Sequence, residues 1–388
     1  MQWNQQKLPD WAVSSSIIGL QGGTDRVLQV YNVMKDAGVE KINGIWIQDW
    51  SGQIVTDFGK RVFWNWKWDE DRYPGLDKVI KDLKEKDDTL FLVYMNPHLN
   101  VLGDLFVKAE NDGALIKYHN EVTGKSETFK QDFGEFLCGT VDLTSSHGRN
   151  WYRDNIINPA LDLGIRGWMA DFGEYLPLDE NIILADGRKA KQVHNDFPAL
   201  WAQVNYEAID AYGLNSEDVF LFYRAGYTNS NKYAQSAWAG DQTVDWSESD
   251  GLASTIPAAL SLGASGLSVT HIDIGLYTSL VGQEVDGYKF KHSCEKPGIA
   301  KLNSCEKHAK IWAPSFIELF YLNQKFTQFL FELVANESNF KHALSHDSVY
   351  CNPLQGIVAE VCGNGSFQPG DENSRRQPTR RELAGVPG

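Results

Sequence analysis

The chain has 388 residues, with 36 Lys and Arg against 51 Asp and Glu, and a formal charge of −15 at neutral pH. A composition 42% apolar and 22% charged is that of an ordinary globular protein and excludes disorder over most of the length. So negative a chain repels phosphate backbones, and its one short basic cluster (Arg375, Arg376, Arg380, Arg381) sits in a Pro-, Ser- and Gly-rich tail, so no nucleic-acid partner is expected.

No run of about 18 uncharged apolar residues offers a membrane span. The start, MQWNQQKLPDWAV, lacks the basic residues and apolar stretch of a secretory signal, which points to a cytoplasmic protein. Five cysteines, Cys138, Cys294, Cys305, Cys351 and Cys362, fit neither a zinc set nor a disulfide framework and read as reduced thiols, with a Cys294–Cys305 pair conceivable only after export. The 13 Trp residues are uneven: 12 lie between Trp3 and Trp246, and Trp50, Trp64, Trp66 and Trp68 crowd one stretch. Indole suits both cores and sugar-binding clefts, so this concentration marks a region without fixing its use.

Apolar runs alternate with helical spacing along the chain. A strand at Ser16–Leu20 precedes a helix at Thr24–Ala37, whose Val27, Val30, Val33 and Met34 share one face. Strands at Gly44–Gln48 and Thr89–Met95 flank a helix at Gly75–Lys86, and helices at Leu102–Asn111 and Gly148–Leu163 lead to a strand at Gly164–Asp171. After a helix at Asn195–Tyr212 come strands at Val219–Arg224 and Ser236–Ala239, a helix at Gly251–Gly263 and a strand at Leu267–Asp273. Seven strands alternating with helices predict an α/β fold, a (β/α)8 TIM-type barrel incomplete at its eighth strand, with an open doubly wound sheet as the alternative. A helix is expected from Ile311 to Val334, and Ser348–Cys351 or Gly356–Cys362 could close the barrel. The expected organisation is a catalytic barrel over 1–280, a divergent region over 281–362 and a disordered tail over 363–388.

No GxxxxGK[ST], GxGxxG, GxSxG or HExxH occurs where it would carry chemistry, so no cofactor or metal is expected. Strand ends are where a barrel keeps its chemistry, and two of them finish in Asp: Asp171 after GWMA and Asp241 after SAWAG. A pair of carboxylates is what acid-assisted displacement at a sugar carbon needs, although a strand-end Asp can equally cap the next helix.

The segments GIWIQDWSG, GWMADFGEYLP, YRAG, WAGDQTVDW and HIDIGLYT are similar to those of glycoside hydrolase family 31 in its sulfoquinovosidase branch, over Gln2 to Thr278. That resemblance implies a retaining α-glycoside hydrolase for α-sulfoquinovosides, with a small carbohydrate or sulfoglycolipid-derived substrate. It implies that Asp171 is the nucleophile and Asp241 the general acid and base, with Arg224 between them. The apolar Trp238, Ala239 and Gly240 would favour protonated Asp241. Asp49 and Glu174 would hold sugar hydroxyls, with His271 and Asp273 on the same rim. Gln48, Arg61 and Trp64 match the branch's sulfonate-binding positions, with Gln21 and Tyr277 contributing; Arg suits a sulfonate because its planar fork donates two parallel hydrogen bonds. The alternatives are an α-glucosidase of the same family, which has no need of Arg61 and Trp64, and a truncated, non-catalytic sugar-binding protein. The likeness fades after Thr278, where an active-site His should follow; His292, His308 and His342 are candidates by residue type only.

Overall fold

Apolar runs that stop abruptly at polar residues form one curled sheet: β1 (Ser16–Leu20), β2 (Ile42–Ile47), β3 (Leu90–Met95), β4 (Ile165–Ala170), β5 (Phe220–Tyr223), β6 (Ser236–Trp238) and β7, in two pieces, Thr270–His271 and Asp273–Ile274. The structure, a computed structural model, describes residues 6–57, 59–243, 247–274 and 310–312. Strands β1 to β7 run parallel, each beside its neighbour in sequence. The eighth place is filled by β8 (Lys310–Trp312), which pairs antiparallel with β1 on one side and with Asp273–Ile274 on the other. The described residues thus form a (β/α)8 barrel without a parallel eighth strand. The sequence led to the expectation of a helix starting at Ile311, but Ile311 and Trp312 belong to that strand instead. The other candidates for closure, Ser348–Cys351 and Gly356–Cys362, lie outside the described residues, as do the expected tail and Cys294, Cys305, Cys351 and Cys362.

Buried strands explain the unbroken apolar runs. Every residue of β1, β2 and β3 is buried, as expected of parallel strands with both faces covered. Each such Ile, Leu or Phe side chain contributes roughly 1.5–3 kcal/mol by leaving water. The outer layer is α1 (Thr24–Asp36), α2 (Leu76–Asp87), α3 (Asp104–Asn111), α4 (Ser146–Tyr152), α5 (Phe197–Ala211) and α6 (Leu252–Ala264). The single helix expected over 148–163 is α4 followed by a π-turn at Arg153–Ile157 and a last turn at Asn158–Asp162; Pro159 supplies no N–H there, and Asn158 bonds back to Arg153.

Five of the described Trp residues are beams of this frame. Trp46, Trp50, Trp66, Trp168 and Trp201 are fully buried. Four of these close a hydrogen bond inside the core: Trp46 Nε1 to the Val93 carbonyl at 2.8 Å, Trp50 to Tyr94 at 2.9 Å, Trp66 to His98 at 2.9 Å and Trp168 to the Asn205 side chain at 2.8 Å.

Two insertions stand above the carboxyl ends of the strands. One is the hairpin Gln53–Thr56 and Gly59–Val62 after β2. The other follows β3 and contains the antiparallel sheet of His98–Asn100, Leu137–Thr140 and Lys130–Asp132. Neither was read from the sequence as β-structure.

Candidate active site

The chain turns sharply just after β4, and that turn makes the site. Phe172 sits at φ 58° and Gly173 at φ 111°. The left-handed conformation is costly for a side chain as bulky as phenylalanine, and such strain concentrates at functional positions. Its effect is to fold the Phe172 N–H back onto Asp171 Oδ1 at 2.9 Å. The other oxygen, Oδ2, accepts a hydrogen bond from the Tyr94 hydroxyl at the end of β3. Arg224, following β5, brings Nη1 to 3.3 Å from Asp171 Oδ1.

Asp171 is buried, 5% exposed, and burial pushes its carboxyl above the ordinary carboxylate range. Arg224, the Tyr94 hydroxyl and the Phe172 N–H oppose that rise, while Glu174 adds to it. The same pair viewed from Arg224 gives the complementary picture: burial disfavours the guanidinium charge, but Asp171 and Glu174 outweigh it and hold the proton more firmly. Arg224 also donates from Nε and Nη2 to Glu174 Oε1 at 2.9 and 2.6 Å, and lies 3.9 Å above the Phe172 ring.

A cavity of about 380 Å³ opens over Asp171. Among the expected residues it brings together Gln48, Arg61, Trp64, Asp171, Arg224 and Asp241. Residues that the sequence did not single out complete it: Tyr94 and Met169 from the strands, Phe172 and Tyr175 from the turn, and Asp132, Phe133, Glu135 and Phe136 from the second insertion. An aromatic wall is built around Trp64, whose ring meets Phe133 at 4.9 Å, Phe172 at 5.0 Å and Phe136 at 5.1 Å. His98 stacks behind Trp64, and burial pushes its imidazole down to about 3, so it is neutral at physiological pH. Of the four crowded Trp residues only Trp64 lines the cavity.

The two strand-end acids differ in environment. The sequence suggested an apolar enclosure for Asp241, but in the structure that side chain is exposed, and Asp171 is the one that burial raises. The reason is position: Asp241 stands three residues past the end of β6, beyond Gly240 at φ 92°, whereas Asp171 immediately follows β4.

Other expected residues stand outside this cavity. Asp49 is fully buried, and its oxygens accept hydrogen bonds from the Gly22 N–H, Gln53, Arg72 and Tyr73. That network leaves it braced by protein rather than open to a sugar. Glu174 lines, with Arg224, a second cavity of about 420 Å³ that includes His194 and Asn195. His271 and Asp273 are buried in β7, and His271 meets the Phe222 ring at 4.9 Å. Gln21 follows β1 and does not line the cavity; Tyr277, His292, His308 and His342 lie outside the described residues. Among the described residues, no group of three or more His, Cys, Asp or Glu could hold a metal ion, and no helix is long and apolar enough to cross a membrane.

The model of the glycosyl hydrolases family 31 TIM-barrel domain matches residues 6–288. The chain belongs to glycoside hydrolase family 31. Within family 31 it is 48% identical over 276 residues to a sulfoquinovosidase of Escherichia coli, covering 71% of this chain and 39% of that protein. A sulfoquinovosidase of Agrobacterium fabrum is 44% identical over 279 residues, covering 72% and 40%. Among solved structures, a family 31 sulfoquinovosidase from E. rectale in complex with an aza-sugar inhibitor superposes with a TM-score of 0.66 at 45% identity, over 71% of this chain and 40% of that one. The chain therefore spans about two fifths of the length of the curated family 31 relatives it matches.

Proposed function

We propose that residues 1–280 form the catalytic barrel of a retaining α-glycosidase that acts on α-sulfoquinovosides. The observation that carries this reading is the presence of Gln48, Arg61 and Trp64 in the same cavity as Asp171 and Asp241. The sulfoquinovosidase names of the relatives at 48% and 44% identity support the same substrate class.

In this reading Asp171 attacks the anomeric carbon as a carboxylate. Asp241 gives its proton to the departing glycosidic oxygen, so the C–O bond to the aglycone breaks as the ester bond to Asp171 forms. Asp241, now ionised, takes a proton from water, whose oxygen attacks the same carbon and releases Asp171. Two inversions give net retention. Arg224 and the Tyr94 hydroxyl favour the carboxylate form of Asp171 against the effect of its burial, and the Trp64 wall presents an apolar flank to the ring.

The sulfonate at C6 of the sugar is an anion with acceptors and no donor, and Arg61 is the cation on the cavity rim that answers it. The test is release from an aryl α-sulfoquinovoside against the matching aryl α-glucoside. A large preference for the sulfonate substrate is expected; equal rates point to the α-glucosidase alternative, and folded protein that turns over neither points to a sugar-binding role.

A further inference from the structure

One carboxylate of the cavity has no part in the chemistry above, and its contacts tie it to Arg61. Glu135 Oε2 accepts from Arg61 Nε at 2.7 Å and from the Thr56 hydroxyl at 2.6 Å. Thr56 and Arg61 stand on the paired strands of the hairpin after β2, and Glu135 lies in the turn between Lys130–Asp132 and Leu137–Thr140. A single oxygen therefore fastens two separate walls of the cavity. The Glu135 side chain is 8% exposed while that of Arg61 is 52% exposed, so the carboxylate is the fixed partner and the arginine the one being held.

A carboxylate beside a sulfonate site is at first sight a competitor, since it offers the guanidinium the same kind of acceptor as the ligand. The geometry argues otherwise. Glu135 engages Arg61 only through Nε. Among the described residues neither Nη group has a protein acceptor, and Arg61 lines the cavity. The guanidinium plane is thereby anchored by one edge, and the edge that presents two parallel N–H donors is left for a tetrahedral anion. A long, half-exposed arginine would otherwise have to lose its rotamer freedom when the ligand arrives; here much of it is lost beforehand, which favours binding.

We propose that Glu135 is a positioning residue for anion recognition, holding Arg61 so that its Nη edge makes a bidentate contact with the sulfonate. This rests on the substrate class proposed above. Because the pair is nearly neutral as a unit, the selectivity it confers comes from placed donors rather than from a free positive charge.

Three variants of Glu135 in the full chain separate these ideas, read by calorimetric affinity for sulfoquinovose and for glucose and by kcat on the aryl α-sulfoquinovoside. Glu135→Ala should raise the sulfoquinovose Kd about tenfold while leaving the glucose Kd and kcat within about twofold, because a binding contact and not a transition-state contact is loosened. Glu135→Gln keeps an acceptor for Arg61 Nε and Thr56 and should retain the sulfoquinovose affinity of the parent. Glu135→Asp keeps the charge but cannot reach Arg61 at 2.7 Å, and should behave like the alanine variant even if that one fails to fold. An unchanged or tighter sulfoquinovose Kd in the alanine or aspartate variant, with discrimination intact in the parent, overturns the positioning role alone. A parent protein that binds the two sugars alike overturns both this role and the substrate class.

Discussion

Arg224 divides one guanidinium between two acids: Nη1 stands 3.3 Å from Asp171, while Nε and Nη2 are both spent on Glu174. Asp171 thus receives positive charge without a full bidentate pair, and its carboxyl stays above the ordinary range because burial outweighs the arginine. Removing that charge in Arg224→Ala leaves burial opposed only by the Tyr94 hydroxyl and the Phe172 N–H. The Asp171 carboxyl should then rise further, and since the ionised form is the nucleophile, the acidic limb of the kcat/KM profile should move to higher pH. Activity at neutral pH should fall on the order of 10²-fold through lost positioning. An acidic limb that stays in place would mean that Arg224 serves Glu174 alone.

Asp171→Asn should lower kcat by at least about 10³-fold, because an amide cannot form the glycosyl ester. Binding of sulfoquinovose should survive, since the amide keeps the shape and can still accept from Tyr94. The same variant should melt at a higher temperature than the parent at neutral pH. The folded carboxyl titrates above its unfolded value, so ionising it costs the folded state. That cost is fully present above the raised folded value and vanishes below the ordinary carboxylate range, where both states are protonated. The stability gap should accordingly close as the pH falls through that window. A gap that widens on acidification contradicts the assignment.

Asp49 makes the opposite prediction, of stability with little direct chemistry. Its buried carboxylate gathers Arg72, Tyr73, Gln53 and the Gly22 N–H at the ends of β1 and β2. Taking away one partner of a buried pair strands the other, and Asp49→Ala should cost about 3–5 kcal/mol in urea unfolding. A loss below about 1 kcal/mol, the range of an exposed ion pair, would show that the network is not structural. Protein that remains folded should retain most of its kcat.

How much of this could be seen in the residues follows from where the information is local. The seven parallel strands were legible because a run such as Leu90–Met95, buried along its whole length, has to be apolar throughout, and the amphipathic helices carry their own period. Asp171 and Asp241 were legible as acids at strand ends. Their environments were not: which one is enclosed depends on the turn at Phe172 and on Gly240, and on side chains brought from β3 and β5. The aromatic wall of Phe133 and Phe136, and Glu135 between them, comes from a polar insertion whose sequence has no periodicity and meets the barrel only through tertiary contacts. Asp49 sits in a motif as recognisable as that of Asp171, yet of its partners only Gln53 is near in sequence, while Arg72, Tyr73 and Gly22 are 23 to 27 residues away, so its structural use became visible only with the fold.

Arg61→Lys tests the cation itself. Lysine keeps the charge but replaces a planar fork by a point donor, and it has no Nε–H with which to remain on Glu135 while presenting two further donors. Sulfoquinovose affinity should fall about tenfold, with glucose affinity unchanged, by calorimetry. The salt response should change as well: a flexible ammonium attracts the anion mainly by Coulomb force, so the variant's sulfoquinovose Kd should climb more steeply with ionic strength than that of the parent. Equal affinity and equal salt dependence in the two proteins would mean that charge at position 61 is enough, and that the geometry held by Glu135 adds nothing.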